Sequence, residues 1–381
     1  MRVCLATTSF PRWENDHRVP FMLELARELK RQGHFVRVVG LHTPGAKTRE
    51  VIDGIEVIRA RYLPESWEVL QKEDGGIPAI WRKKPFARLA LLPFAIVFLA
   101  AIIRYSKDCD IIHANWSLSG LLAWAGKIFH RKPYIVTVHG SDIFMGGSIP
   151  FVSKLTAWAL NASKGTIAVS HSLAEAVKQL GVRPEKVFTI PNGVNIDRFH
   201  PANGDRENHV LFVGNLTENK GVRYLIEAFP YVLSCIPDVR LIVIGGGPQK
   251  ESFEEAARRE GISDRVIFLG SKSPQEVAGW MRSSQLFVLP SLSEGFGVVL
   301  LEAMASGLPC IGTRTGGIPD IITPEVGRLV PSADSQALGE AVVEMLRDRE
   351  GLERMRERAV VYVRENYSWT AVVRQITALY Q

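Results

Sequence analysis

PSLSEGFGVVLLEAMA, residues 290–305, starts where the strand-like run 286–289 ends, passes Gly295 and Gly297, and becomes a helical pattern over 298–306. A strand that turns through glycines into a helix is the building unit of a sheet wound with helices on both faces. The pattern extends in both directions. Upstream, 210–213, 240–244 and 266–269 read as strands, with helical runs at 222–232 and 250–260 between them. Downstream, 309–312 adds another strand.

The first half of the chain repeats this alternation. Strands are expected at 3–7, 35–40, 111–113, 134–138, 166–169 and 187–190, with helices at 19–31, 118–129 and 172–180. Between the halves, NIDRFHPANGDREN (195–208) loses apolar periodicity and gains Pro and Gly, as a linker would. The expected organisation is α/β: a Rossmann-like domain over 1–195, a linker over 196–208 and a second Rossmann-like domain over 209–362. A C-terminal segment, 363–381, with a helix at 370–380, is expected to cross back to the first domain. Two doubly wound domains in tandem face a cleft lined by strand carboxyl ends, where such sheets bind ligands.

Composition bounds the function. With 381 residues, 46% hydrophobic and 23% charged, the chain is long enough and apolar enough for two soluble cores. Its net charge of +6 gives mild attraction to anionic ligands or surfaces but is too small for a nucleic-acid binder. Cys4, Cys109, Cys235 and Cys310 lack metal-site spacing and form no disulfide framework. The opening MRVCLATTSFP has no apolar signal-peptide core, so a reducing cytoplasm is the expected compartment.

One uncharged run, 89–103, lies between Arg82, Lys83, Lys84 and Arg88 on one side and Arg104 on the other, and Pro93 interrupts it. It is shorter than the ~20 residues a spanning helix needs. Three readings stand: a buried helix covering the sheet, a helix lying on the anionic inner face of the plasma membrane, or, least favoured by its length, a true span.

The chemistry concentrates after residue 290. Gly295 and Gly297 let the backbone approach a ligand, and the first-turn amides of the following helix favour an anion such as a diphosphate. Glu294 precedes the helix and Glu302 lies about 12 Å further along its axis at about 1.5 Å per residue. Such a pair either grips two ends of one nucleotide sugar, or caps the helix and makes a surface ion pair.

The E-x7-E pair sits inside SEGFGVVLLEAMASGLPCIGTRTGGIPDII (293–322), which resembles the signature of retaining GT-B glycosyltransferases of family 4. FVGNLTENKGVRYLIEAF (212–229), IGGGP (244–248), IPNGVNIDRF (190–199), DIIHANW (110–116) and VTVHGSD (136–142) agree with it in order, so the resemblance covers most of the chain. It implies that Glu294 contacts hydroxyls of the donor sugar and Glu302 the ribose of the nucleotide. The amides of Gly295, Phe296, Gly297 and Val298 would receive phosphates, and Lys220 would pair with the diphosphate as charge develops. Asn215, Gly247 and Leu269 complete the implied donor-binding set. Asn215 departs from the usual pattern, where many members carry a phosphate-binding arginine; either Lys220 and the helix suffice, or another cation such as Arg314 substitutes.

His139 should emerge at the carboxyl edge of the first sheet, and the resemblance makes it a contact to the transferred sugar or acceptor. Asp142 either joins it or caps the next helix. Asp108-Cys109-Asp110 mimics a metal-binding DxD but precedes a strand rather than following one, so no metal site is expected there. The acceptor loop SFPRWENDHRVP (9–20) has no glycine, unlike many relatives; Asp16, His17 and Arg18 are its candidate acceptor contacts. Residues 61–85, with Trp67 and Trp81, form either an acceptor or membrane loop or an irregular connection.

These readings imply a retaining, metal-independent transferase that needs no cofactor beyond its sugar-nucleotide substrate. The donor is of UDP or GDP type and the acceptor a glycan or lipid-linked saccharide of cell-surface polysaccharide or glycolipid synthesis. The rival readings are an epimerase or phosphorylase of the same architecture, and an inactive nucleotide-sugar-binding protein.

Overall fold

The computed structural model describes residues 1–381 except 14–15, 17–18, 71–88, 141, 144–149, 203 and 205. The chain divides into two compact units, Met1–Pro191 with Val372–Gln381, and Asn192–Ala371.

The first unit is built on strands β1 (Arg2–Thr7), β2 (Phe35–Leu41), β3 (Arg49–Ile52), β4 (Ile55–Ala60), β5 (Ile111–Asn115), β6 (Tyr134–Val138), β7 (Thr166–Ala168) and β8 (Val187–Thr189). They lie in the order β3-β4-β2-β1-β5-β6-β7-β8. Pairing is parallel except between β3 and β4. Every residue of β5 and β6 is buried, as helices on both faces of a parallel sheet require. The β3–β4 hairpin was not anticipated from the sequence. Its signal is Asp53-Gly54, both at positive φ, a two-residue turn flanked by apolar alternation.

The second unit carries β9 (His209–Val213), β10 (Arg240–Ile244), β11 (Val266–Gly270), β12 (Leu286–Leu289), β13 (Cys310–Thr313) and β14 (Gly327–Val330) in the order β11-β10-β9-β12-β13-β14. All of these pairings are parallel. Each unit has one place where the winding reverses: between β1 and β5 in the first, between β9 and β12 in the second. Strand exits at such a reversal diverge to opposite faces and leave a crevice at the carboxyl edge.

The uncharged run forms the helix Leu91–Tyr105, which buries Phe94, Phe98 and Ile102 while leaving Leu92 69% and Ile96 60% exposed. Pro93 does not break it, because a first-turn N–H has no intrahelical acceptor to lose. The described residues of 195–208 belong to the second unit. Val194 N–H donates to the Tyr367 carbonyl at 2.9 Å, Phe199 is buried, and the Arg206 guanidinium donates to the carbonyls of Met281, Ser284 and Ser306. Burial pushes the Arg206 pKa down to about 10, with Arg356 adding repulsion.

The last helix, Trp369–Ala378, starts in the second unit, and Val372–Gln381 belongs to the first. There Val372, Val373, Ile376 and Tyr380 are buried, and the Tyr380 hydroxyl meets His113 Nδ1 at 2.8 Å.

Candidate functional site

In the second unit, the exits of β9 and β12 are locked together by backbone contacts. Leu292 N–H donates to the Asn219 carbonyl at 2.8 Å. Gly221 holds φ 64° with the Pro290 carbonyl where a Cβ would stand, and Gly316, at φ 53°, packs in the same way on the Glu294 carbonyl. The glycines are therefore required by close approach of chain to chain. Ser291 supports the loop through its carbonyl, which accepts from Thr313 Oγ1 at 2.5 Å.

This scaffold brings two of the expected residues together. Lys220 Nζ donates to Glu294 Oε2 at 2.6 Å, and Ser291 Oγ lies 3.4 Å from the same oxygen. The pair is partly exposed, with side-chain accessibilities of 25% for Lys220 and 14% for Glu294. Beside it begins the helix Val298–Ala305, entered through Gly297 at φ 96°. Among the described residues, no backbone carbonyl takes the N–H groups of Phe296, Gly297 or Val298. An ammonium, a half-dipole and open amides converge here on the carboxyl edge of the sheet, where an anion is stabilised. The Phe296 side chain is buried near Tyr367, so only its amide is in play.

Glu302 lies further along the same helix. Burial raises its pKa to about 7, and Arg198 opposes the shift. Arg198 was not singled out from the sequence, although IPNGVNIDRF contains it. Gly247 serves the packing of the loops, since the Leu216 carbonyl sits where its Cβ would be. Leu269 is half-buried near the end of the edge strand β11, whose Gly270 carbonyl accepts from Gly245 N–H at 2.9 Å. Asn215 is exposed at the β9 exit. Arg314 is exposed at the β13 exit, and among the described residues no acceptor holds its guanidinium.

In the first unit, His139 follows β6 and its Nε2 lies 3.2 Å from Asn115 Oδ1. Burial pushes the His139 pKa down to about 3, so the ring is neutral at ordinary pH. Among the described residues, its Nδ1 and the Asn115 side-chain nitrogen are buried without a partner. Trp116 and Phe21 flank the ring at 4.7 and 5.2 Å between centroids. Trp116 is held at φ 66°, ψ 147°, a conformation that costs a non-glycine residue on the order of 1–3 kcal/mol. Orphaned polar atoms and strained backbone mark functional sites more often than ordinary cores. The signal for Asn115 and Trp116 was present in DIIHANW.

Two acceptor candidates prove to be occupied. Asp142 is half-buried, with one carboxylate oxygen accepting from His139 N–H and Gly140 N–H and the other from Ser117 N–H at 2.7 Å. It ties the His139 turn to the start of the helix Ser117–His130. Asp16 is buried and its carboxylate is gripped by the backbone N–H and guanidinium of Arg12. His17 and Arg18 lie outside the described residues, as do Trp81, Arg82, Lys83, Lys84 and Arg88. Asp108 is held by Arg37 and Arg2, which lower its pKa to about 2. It stands before β5, away from the carboxyl edge. Among the described residues, no group of His, Cys, Asp or Glu has the arrangement to hold a metal ion.

The chain and its fold are similar to those of known proteins. The family descriptions Glycosyltransferase Family 4 and Glycosyl transferases group 1 match residues 20–198 and 194–361. N-acetyl-alpha-D-glucosaminyl L-malate synthase of Bacillus anthracis is 31% identical over 301 residues, which are 75% of this chain and 78% of that protein. Phosphatidyl-myo-inositol mannosyltransferase of Mycobacterium leprae is 29% identical over 384 residues, covering 94% of this chain and 91% of that one. Among solved structures, sucrose-phosphate synthase from Thermosynechococcus elongatus superposes with a TM-score of 0.82 at 22% identity, covering 100% of this chain and 98% of that one. HepE of Anabaena, in complex with UDP-glucose, superposes with a TM-score of 0.74 at 20% identity, covering 99% and 98%.

Proposed function

The chain belongs to the family 4 glycosyltransferases of GT-B fold, and from that premise we propose a retaining, metal-independent transfer of a sugar from a UDP or GDP sugar. The acceptor is a glycan or lipid-linked saccharide in cell-surface polysaccharide or glycolipid synthesis. The observation that carries the donor assignment is the Lys220–Glu294 pair at 2.6 Å beside the open amides of Phe296, Gly297 and Val298. A UDP-type donor gains support from the likeness to HepE with UDP-glucose, and a lipid or cyclitol acceptor from the mannosyltransferase relative.

In this reading the diphosphate lies at the amides and Lys220 turns from Glu294 to the phosphate oxygens. Glu294 is thereby released to accept hydrogen bonds from hydroxyls of the donor sugar. As the bond between the anomeric carbon and the phosphate oxygen breaks, the electron pair leaves with the nucleotide diphosphate. Lys220 and the helix dipole stabilise the growing charge more than they stabilise the intact donor, which lowers the barrier. The acceptor hydroxyl then bonds to the anomeric carbon on the face the nucleotide has left, and its proton passes to the departing phosphate. Glu302 receives the ribose hydroxyls, and Arg314 is the cation closest in role to the arginine missing at 215. The neutral His139 contributes a hydrogen-bonding group near the transferred sugar rather than a charge.

The test is steady-state turnover of Lys220→Ala and Glu294→Gln with a panel of UDP and GDP sugars, with and without acceptor. Each variant is expected to keep its fold and to lose about a hundredfold or more in kcat/KM. Undiminished turnover in both removes the donor-site assignment. Release of free nucleotide that depends on acceptor separates transfer from epimerisation.

A further inference from the structure

Three helices of the first unit, Leu91–Tyr105, Ser117–His130 and Pro150–Ala162, pack side by side. The first meets the second at Gly126, where an added Cβ would press on Leu99 and Ile103 at 3.0 and 3.2 Å. Lys127 Nζ reaches the carbonyl of Ala162 at 3.4 Å, joining the second to the third. All three follow crossovers of the same sense along the sheet, β4 to β5, β5 to β6 and β6 to β7, so they cover the same sheet face. What they leave exposed therefore points the same way, outward.

That outward surface has an unusual composition. It presents Leu89, Leu92 and Ile96 from the first helix and its approach, Ile128 and Phe129 from the second, and Phe151 and Trp158 from the third, each at least 59% exposed. Isolated exposed apolar side chains are ordinary, but a group of large ones on adjoining helices marks an interaction surface. None of the three helices contains an aspartate or glutamate. The charges they and the two residues after each carry are Arg104, Lys107, Lys127, Arg131, Lys132, Lys154 and Lys164. A protein partner's interface would ordinarily mix charge signs at its rim; an acid-free, apolar and basic face is complementary to anionic head groups over an acyl boundary. Among the described residues, no helix is long and apolar enough to cross a membrane.

We infer that this three-helix face docks the enzyme on an anionic lipid bilayer, with Leu92, Ile96, Phe129 and Trp158 entering the interface and Arg104, Lys127 and Lys154 meeting head groups. Such docking requires neither the donor chemistry above nor a lipid-linked acceptor.

The test is co-sedimentation of the full chain with phosphatidylcholine vesicles, with and without phosphatidylglycerol, at low and raised salt. The wild type should bind only the anionic vesicles and lose binding as salt rises. Lys127→Gln with Lys154→Gln should weaken partitioning roughly fivefold for each basic residue replaced. Ile96→Asn with Trp158→Asn, both surface changes that leave the melting temperature in place, should abolish it. Equal binding to neutral and anionic vesicles, or no binding to either, overturns the proposal. So does concentration-dependent dimerisation in solution that the Ile96→Asn and Trp158→Asn changes dissolve. A chain that binds vesicles yet turns over no nucleotide sugar leaves membrane docking standing and removes the transferase assignment.

Discussion

Glu302 is a carboxyl group whose usefulness and stability cost have one origin. Burial raises its pKa from 4.5 to about 7, against the pull of Arg198, because a carboxylate withdrawn from water is penalised more than a carboxylic acid. A raised folded-state pKa favours the folded protein fully below about pH 4.5, and this contribution is lost as pH rises through about 7. Over that window the loss is at most roughly 3 kcal/mol. Glu302→Gln keeps the shape and removes the titration. Its melting temperature should match the wild type near pH 5 and exceed it at pH 8, by an amount equivalent to about 1–3 kcal/mol. If Glu302 also receives ribose hydroxyls, those donors favour the charged form. Nucleotide binding to the wild type near pH 7 should then release protons, which titration calorimetry in buffers of differing ionisation enthalpy reads out. The same melting profile in both proteins across pH would show that Glu302 titrates as an ordinary solvated carboxylate.

At the scale of elements, the site depends on loops that fit because certain residues have no side chain. Gly316→Ala and Gly33→Ala both place a Cβ on left-handed backbone, at φ 53° and 86°, and both should destabilise by about 1 kcal/mol for that reason. Only at Gly316 would the new atom overlap a neighbour, the Glu294 carbonyl; at Gly33 there is open space. Turnover should therefore fall sharply in Gly316→Ala, through displacement of the Glu294 loop, and stay near wild type in Gly33→Ala. Equal turnover in the two variants would mean that the loop gives way without harm. The strand-glycine-helix unit at 286–305 was legible because each local choice in it agrees with the fold. The hairpin at Arg49–Ala60 was equally legible through Asp53-Gly54, and only alternation weighted toward helices hid it. Asp16 and Asp142 were not legible. A carboxylate beside an expected site looks the same in sequence whether it faces a ligand or is held by Arg12 or by the backbone of Ser117, His139 and Gly140. Residues 195–208 likewise read as a linker because their apolar anchors are few, yet Phe199 and the Arg206 carbonyl contacts hold them to the second unit.

At the scale of the molecule, the chain passes from the first unit to the second after Pro191 and returns after Ala371. The returning segment follows the second unit along the chain, yet it completes the core of the first. Its anchor is Tyr380, 3% exposed, whose hydroxyl meets His113 Nδ1 at 2.8 Å while His113 Nε2 meets Thr137 Oγ1 at 2.7 Å. Burial depresses the His113 pKa to about 3, with His139 adding repulsion, so this is a neutral hydrogen-bonded chain rather than an ion pair. Lys164 Nζ adds a bond to the Tyr380 carbonyl at 3.0 Å. Two substitutions separate the contributions. Tyr380→Phe leaves the ring in place and strands one buried imidazole nitrogen, which should cost about 1–3 kcal/mol. Tyr380→Ala also opens a cavity, for a total of about 3–5 kcal/mol. Because every one of these partners belongs to the first unit, nucleotide affinity, assigned to the second, should be unchanged in both variants at temperatures below their melting points. Calorimetric melting alongside nucleotide titration checks both halves: a large fall in affinity with little loss of stability would show that the C-terminal segment serves the donor site rather than the core it enters.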